Sequence, residues 1–173
     1  VYAPDSSAEA VVLFSETTVD YNWGLDDFKL NYYYKKRIKI LKEEGISQAD
    51  VNIMYVERKD NRTLKEAVQG LEAYAYNMEN GKVVRTKMKK EHVFEERIND
   101  VYMQLKFSVP QVKVGTVIEY EYQISSDYYN QIRDWFAQEN IPVFHTEFNV
   151  VIPEYFKFNT SAQGIANLEG NIE

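Results

Sequence analysis

The sequence predicts an all-β domain with minor helix, either an antiparallel β-sandwich or a large twisted antiparallel sheet. Three observations carry that reading. From Thr116 to Ile124 the chain alternates strictly: Ile118, Tyr120, Tyr122 and Ile124 fall on one face, and Val117, Glu119, Glu121 and Gln123 on the other. Residues 28–41 alternate over a longer run, with Phe28, Leu30, Tyr32, Tyr34, Ile38 and Ile40 opposite Lys29, Asn31, Lys35, Arg37 and Lys39. Period-two patterning marks antiparallel strands with one packed face and one wet face. A helix would scatter the same cations around its circumference. The third observation is Asn80-Gly81, the preferred pair for a two-residue type I′ hairpin, because both positions favour positive φ. The aromatic content agrees, since 14 Tyr, 9 Phe and 2 Trp suit pleated, half-buried surfaces.

In chain order, residues 8–14 form an apolar run and a first strand, followed by a polar stretch through Asn22. The long strand 28–41 ends at residues 42–45. Residues 50–56 read as a short strand and 57–63 as a charged loop. The hairpin occupies residues 71–89, and its turn sets Tyr76 opposite Arg85 and Tyr74 opposite Lys87, two cross-strand cation–aromatic pairs. Residues 90–97 read as a short helical turn with Val93 inward, or as a strand continuation; the turn is favoured. Residues 101–109 are strand-like and stop at Pro110, which cannot donate to a central ladder. A turn at Lys113–Gly115 then opens the alternating strand 116–125. Residues 127–140 are the best candidate for a helix or a loop with a helix, because Tyr129, Ile132, Trp135 and Phe136 recur near helical spacing. Residues 144–152 form a further strand stopped by Pro153, residues 155–158 extend it after a bend, and residues 159–173 read as a linker or truncated edge.

Length and charge narrow the function classes. At 173 residues the chain suits one β-sandwich-like domain, 1–173, able to bury a core without disulfides. A net charge of -7 opposes nucleic acid as a partner, because phosphate binding needs clustered cations. No apolar run approaches the roughly 20 residues that span a bilayer as a helix. With no Cys there is no thiol nucleophile and no Cys-based zinc site. Val1 stands where Met would be expected, which points to a processed or trimmed chain whose targeting information has been removed.

The chain holds no Gly-rich phosphate loop, G-x-S-x-G elbow or H-E-x-x-H. His92 lies near Glu91, Glu95 and Glu96, but one His with unspaced carboxylates fits a solvated charged turn better than a metal site. His145 reads as an edge or packing residue, with no nucleophile nearby in sequence. Glu119 and Glu121 stand roughly 7 Å apart on one strand face, within the about 5–10 Å of a glycosidase pair, yet alternating Glu on a wet face is a solubilising pattern. The cation row Lys29, Lys35, Arg37 and Lys39 fits a solvated strand face, with an anionic ligand as the sharper alternative. The expectation is therefore no catalytic, metal or cofactor residue. The candidate interface or ligand-contact residues are Tyr128, Tyr129, Trp135 and Phe136, whose rings can stack on a sugar or anchor a protein interface, or else cap the open end of the core.

Several segments together resemble a known family. They are residues 8–13 (AEAVVL), 37–41 (RIKIL), Tyr76-Asn77 with Asn80-Gly81-Lys82, Phe107 through Val109-Pro110, Val112-Lys113, 115–120 (GTVIEY), and Trp135 with 138–143 (QENIPV). In this order they resemble the N-terminal β domain, a domain of unknown function, that precedes transglutaminase-like cores in bacterial envelope proteins. The resemblance implies the N-terminal part of a longer chain, a cleaved signal, a periplasmic or cell-surface location, and a papain-like core downstream as partner in the same polypeptide. The family's catalytic Cys, His and Asp belong to that core, so the resemblance implies a non-catalytic accessory role here. The alternative is a module that binds an envelope glycan or peptide through its exposed aromatics.

Overall fold

A computed structural model describes residues 6–24, 27–60, 63–154, 156–157 and 159. In chain order the strands are β1 (Ala10–Trp23), β2 (Phe28–Ile40), β3 (Asp50–Val56), β4 (Glu66–Glu79), β5 (Lys82–Lys87), β6 (Val93–Arg97), β7 (Tyr102–Ser108), β8 (Val117–Ser126) and β9 (Thr146–Val150). They form a six-stranded sheet in the order β5-β4-β8-β2-β1-β9 and a three-stranded sheet in the order β3-β7-β6. The all-β expectation holds. Among the described residues helix is confined to two 3-10 turns, Glu44–Ala49 and Lys90–His92.

Alternation along β2 and β8 builds the core. Ile38 pairs with Ile118, Tyr34 with Tyr122 and Tyr32 with Ile124, all on the face that meets the small sheet. From that sheet Ile53 and Phe107 point inward, and Phe107 packs edge-on to Tyr120 at 5.6 Å between ring centroids. Two bulges keep apolar side chains on the inner face. At Leu13 of β1 the register shifts, so that Ala10 and Val12 before it and Val19 after it are all buried. At residues 70–71 of β4 a second shift lets Val68, Ala73 and Ala75 all face the core. A bulge adds one residue to a strand and reverses its side-chain parity.

The hairpin forms with Asn80 at φ 50 and Gly81 at φ 77, and its register sets Tyr76 against Arg85 and Tyr74 against Lys87. The cations lean along the strand, however: Arg85 lies 4.8 Å over Tyr74 and Lys87 lies 5.5 Å from the same ring.

Four expectations need correction. The polar stretch through Asn22 is strand, because β1 pairs with β2 to its end and alternates Thr17 and Val19 inward. Helix in residues 90–97 stops at His92, and Val93 onward joins β7 as β6, where a ladder partner is available. Residues 127–140 hold no helix. The large sheet is not wholly antiparallel, since β9 runs parallel to β1. That last point explains the missing helix in part. A chain leaving β8 must cross β2 and β1 before β9 can be added, and parallel placement needs a long crossover. Tyr155 and Phe158 lie outside the described residues, as does the expected linker from residue 160 on.

Gly45 is fixed by a close backbone approach. A Cβ on Gly45 would sit 2.3 Å from the Glu9 carbonyl oxygen, which accepts from the Leu41 and Lys42 amides at 2.9 Å each. Gly45→Ala is expected to cost about 2–3 kcal/mol by overpacking, lowering the thermal midpoint by roughly 5–10 °C. Circular dichroism melting checks this, and a midpoint within a degree of wild type would contradict the close approach.

Candidate functional site

Residues 127–145 form a strap that runs along β2 from Lys29 past Tyr32 to Lys36 and on to Val12 of β1, and its own chemistry shows why it is not a helix. Asp127 accepts from the Lys65 amide at 3.0 Å and pairs with Lys29, while its amide donates to the Lys65 carbonyl at 3.1 Å. The Tyr32 hydroxyl donates to the Gln131 carbonyl at 3.4 Å and accepts from the Arg133 amide at 3.1 Å. Lys36 pairs with Glu139 at 2.6 Å, and the Pro142 carbonyl accepts from the Val12 amide at 2.9 Å. Backbone groups that a helix would pair internally are taken up by the sheets.

At the centre of the strap Arg133 reaches between the sheets. Its guanidinium bonds Glu66, lies 5.5 Å over the Tyr32 ring and donates to the Met54 carbonyl at 3.4 Å. Glu66 is only 5% exposed and also accepts from the Val56 amide at 2.7 Å. One carboxylate thus ties β3, β4 and the strap together. Around it runs a ladder of rings, Tyr32–Tyr34 at 6.2 Å, Tyr34–Tyr122 at 4.8 Å and Tyr122–Tyr120 at 6.4 Å. Burial pushes the Tyr32 phenol up to about 12, against the smaller downward pull of Arg133. It raises Tyr34, Tyr120 and Tyr122 as well, and Tyr21 to about 12. At neutral pH these rings are packing groups and neutral hydrogen-bonders, not bases.

The four aromatic candidates divide. The Tyr128 hydroxyl donates to the Leu64 carbonyl at 3.1 Å. Tyr129 packs with Phe28 and Phe156 and donates to Asp27 at 3.0 Å, and that bond raises its phenol. Trp135 stacks on Phe148 of β9 at 5.2 Å. Phe136 alone stands free at 75% exposure. Phe144 at 71% and Val151 at 63%, beyond the two ends of β9, are exposed as well and were not singled out from the sequence. The outer edge of β9 has no ladder partner among the described residues. A signal for Phe144 existed in the run Pro142-Val143-Phe144-His145, where two apolar residues abut and both cannot face the core.

The acids and histidines do not converge. Glu95 accepts from Tyr55, Glu96 pairs with Lys106, and Glu91 lies 3.9 Å from His92. Among the described residues no group of three or more such side chains could hold a metal ion. His145 stacks on Phe14 at 5.7 Å and bonds Glu147 at 2.7 Å. Glu119 pairs with Arg37, and Glu121 with Lys35 at 3.5 Å. The cation row is engaged within the domain, with Lys29 on Asp127 and Lys39 on the Gly115 carbonyl.

A family model described as Domain of Unknown Function with solved-structure structure (DUF3857) matches residues 26–171. Among solved structures, a crystal structure described as a "putative protease" from Parabacteroides distasonis ATCC 8503 is similar in fold, with a TM-score of 0.53 at 12% identity. The match covers 69% of this chain and 23% of that one. No curated protein matches the chain in sequence.

Two outcomes test the strap. Arg133→Met leaves Glu66 buried without its cation, and because Arg133 is itself one-third exposed the expected loss is about 2–3 kcal/mol in urea unfolding, below the range for a fully buried pair. Adding Glu66→Gln should recover part of it; a single variant as stable as wild type would remove the pair from the account. Alkaline unfolding tests the ring ladder. A phenol raised to about 12 in the fold against 10.0 when unfolded stabilises fully below pH 10, and that stability is lost as pH climbs toward 12. Tyrosinate absorbance should therefore rise together with loss of near-UV dichroism in that window. A smooth titration near 10 with the fold intact would contradict it.

Proposed function

This chain belongs to the DUF3857 family, and from that premise we propose that it is a non-catalytic accessory domain that packs against a protease-related, transglutaminase-like core in the same polypeptide. The observation that carries the proposal is the β9 border. There an unpaired strand edge runs beside Trp135, half-buried on Phe148, with exposed Phe144 and Val151 flanking the two ends of the strand and exposed Phe136 next to Trp135 in the chain. Interdomain contacts are built from such aromatic anchors ringed by polar residues. The fold likeness to a protein of which the match covers 23% agrees with a domain that is one part of a longer chain. A periplasmic or cell-surface setting forms part of the same proposal, and it rests on the family resemblance of the sequence.

The border also separates docking from chemistry. Two groups near it that could act as acid or base are already engaged, His145 with Glu147 and Glu139 with Lys36. The domain's contribution would be to position the core or to gate access to it, while bond-making residues lie in that core.

In the parent polypeptide the β9 amides, Thr146–Val150, should be protected from hydrogen exchange by the docked core. The double variant Phe136→Asp/Phe144→Asp changes only exposed side chains, so the sandwich should stay folded. Loss of two aromatic anchors, about 2 kcal/mol or more, should speed exchange at β9 at least about tenfold and leave β8 unchanged. Equal β9 exchange in the variant and the wild type would contradict docking at this border.

A further inference from the structure

The face of the six-stranded sheet that points away from the small sheet carries rows of side chains set by register. One row is Thr18, Tyr33, Gln123 and Gln69; the next is Glu16, Lys35, Glu121 and Glu72; the third holds Arg37, Glu119, Tyr74 and Lys87. Two hollows open on this face. The larger, about 350 Å³, is bounded by Glu16, Thr18, Tyr33, Lys35, Glu121 and Gln123. The smaller, about 200 Å³, lies toward Tyr74, Tyr76 and Arg85, and the two share Lys35 and Glu121. The β4 bulge gives the larger hollow a low rim. Gly70 sits there at φ +62, with nothing within 4 Å of where a Cβ would stand.

We propose that this face, centred on Tyr33, Glu16, Lys35 and Glu121, is a binding site for a neutral oligosaccharide. Charge is the first argument. Glu16, Glu72, Glu119 and Glu121 stand against Lys35, Arg37, Arg85 and Lys87, so the face is formally neutral while the whole chain carries -7. A polyanion or polycation would meet as much repulsion as attraction. A sugar hydroxyl is donor and acceptor at once, and paired carboxylates and cations serve both roles.

Preorganisation is the second. Arg37 holds Glu119 through Nε at 2.7 Å, the Tyr74 hydroxyl donates to Glu72 at 2.6 Å, and Lys87 pairs with Glu72. These side chains lose little freedom when a ligand arrives. Around the larger hollow, by contrast, the Glu16 carboxylate and the hydroxyls of Thr18 and Tyr33 have no partner among the described residues, and Gln123 uses only its amide nitrogen, on Asn31 at 3.0 Å. Tyr33 is 41% exposed and offers a ring face for the apolar side of a pyranose.

Direction is the third. From β1 to β5 the hollows run across the strands for roughly 19 Å, four strand spacings. An extended peptide gains affinity by pairing its backbone with a strand edge, which a sheet face cannot supply. A chain of sugar rings needs only side chains and a trough. The proposal stands apart from docking at β9 and uses none of its residues.

The experiment titrates the full-length protein by calorimetry with neutral hexasaccharides of the malto-, cello-, xylo- and chito- series, with polygalacturonate as the anionic arm. Saturable binding of at least one neutral series is expected. Tyr33→Ala and Glu16→Ala should each weaken it at least about tenfold, and Thr18→Trp, which fills the hollow while removing only one hydroxyl, should block it. Each variant is to keep the wild-type thermal midpoint, and Phe136→Ala should bind as wild type. Absence of saturable binding across the neutral series, binding unchanged by Tyr33→Ala and Thr18→Trp, or binding of polygalacturonate alone would each overturn the proposal.

Discussion

A one-residue slip of β2 against β8 would turn Leu30, Tyr32, Ile38 and Ile40 outward and drive Lys35 and Arg37 into the core. That parity constraint sits at the centre of the larger sheet, and the rest of the molecule accommodates it. Ile38 against Ile118 and Tyr32 against Ile124 fix the inner face; Arg37 against Glu119 and Lys35 against Glu121 fix the outer one. Hydrophobic burial and ion pairing thus select the same register from opposite sides. The flanking strands have to match it, and where their sequences fall out of phase the bulges at Leu13 and at residues 70–71 restore the parity.

The elements legible in the sequence are those whose pattern is local. β2, β3, β8 and the Asn80-Gly81 hairpin emerge near their true limits because period two and turn chemistry are read within a few residues. What was not legible depends on distant partners. The second half of β1 is polar and reads as loop until Asn31 and Tyr32 of β2 lie beside Asp20 and Val19. Tyr129, Ile132, Trp135 and Phe136 recur at helical spacing, yet Tyr129 serves the Phe28 end, Trp135 serves β9 and Phe136 serves neither. Their spacing is a coincidence of a strap serving several sites. The parallel placement of β9 likewise has no local signature.

The candidate sites were legible in the same uneven way. Three of the four aromatics chosen for their clustering are engaged inside the domain, because clustered aromatics near a strand end are as useful for closing a core as for meeting a partner. Tyr33 carries a subtler signal. It is the ring that interrupts the cationic side of the 28–41 alternation, and a lone aromatic on an otherwise charged face is the informative departure. Reading Glu119 and Glu121 as solvated acids also captured only part of their situation, since each is held by a cation on β2 rather than left to water.

β1 connects the two surfaces. Glu16 and Thr18 line the larger hollow, and the same residues are the ladder partners of Glu147 and Asn149 on β9. Only one strand spacing, about 4.8 Å, separates the hollow's edge from the strand that carries the aromatic border. A core docked along β9 would therefore lie beside anything held on the outer face, with no helix or loop needed between them. The placement of β9 beside β1, which local pattern did not foretell, is what creates this adjacency. Beside β5 at the other edge, the same border would adjoin the smaller hollow at Arg85 rather than the larger one at Glu16 and Thr18. Topology, rather than any single residue, sets which hollow of the outer face lies beside the border.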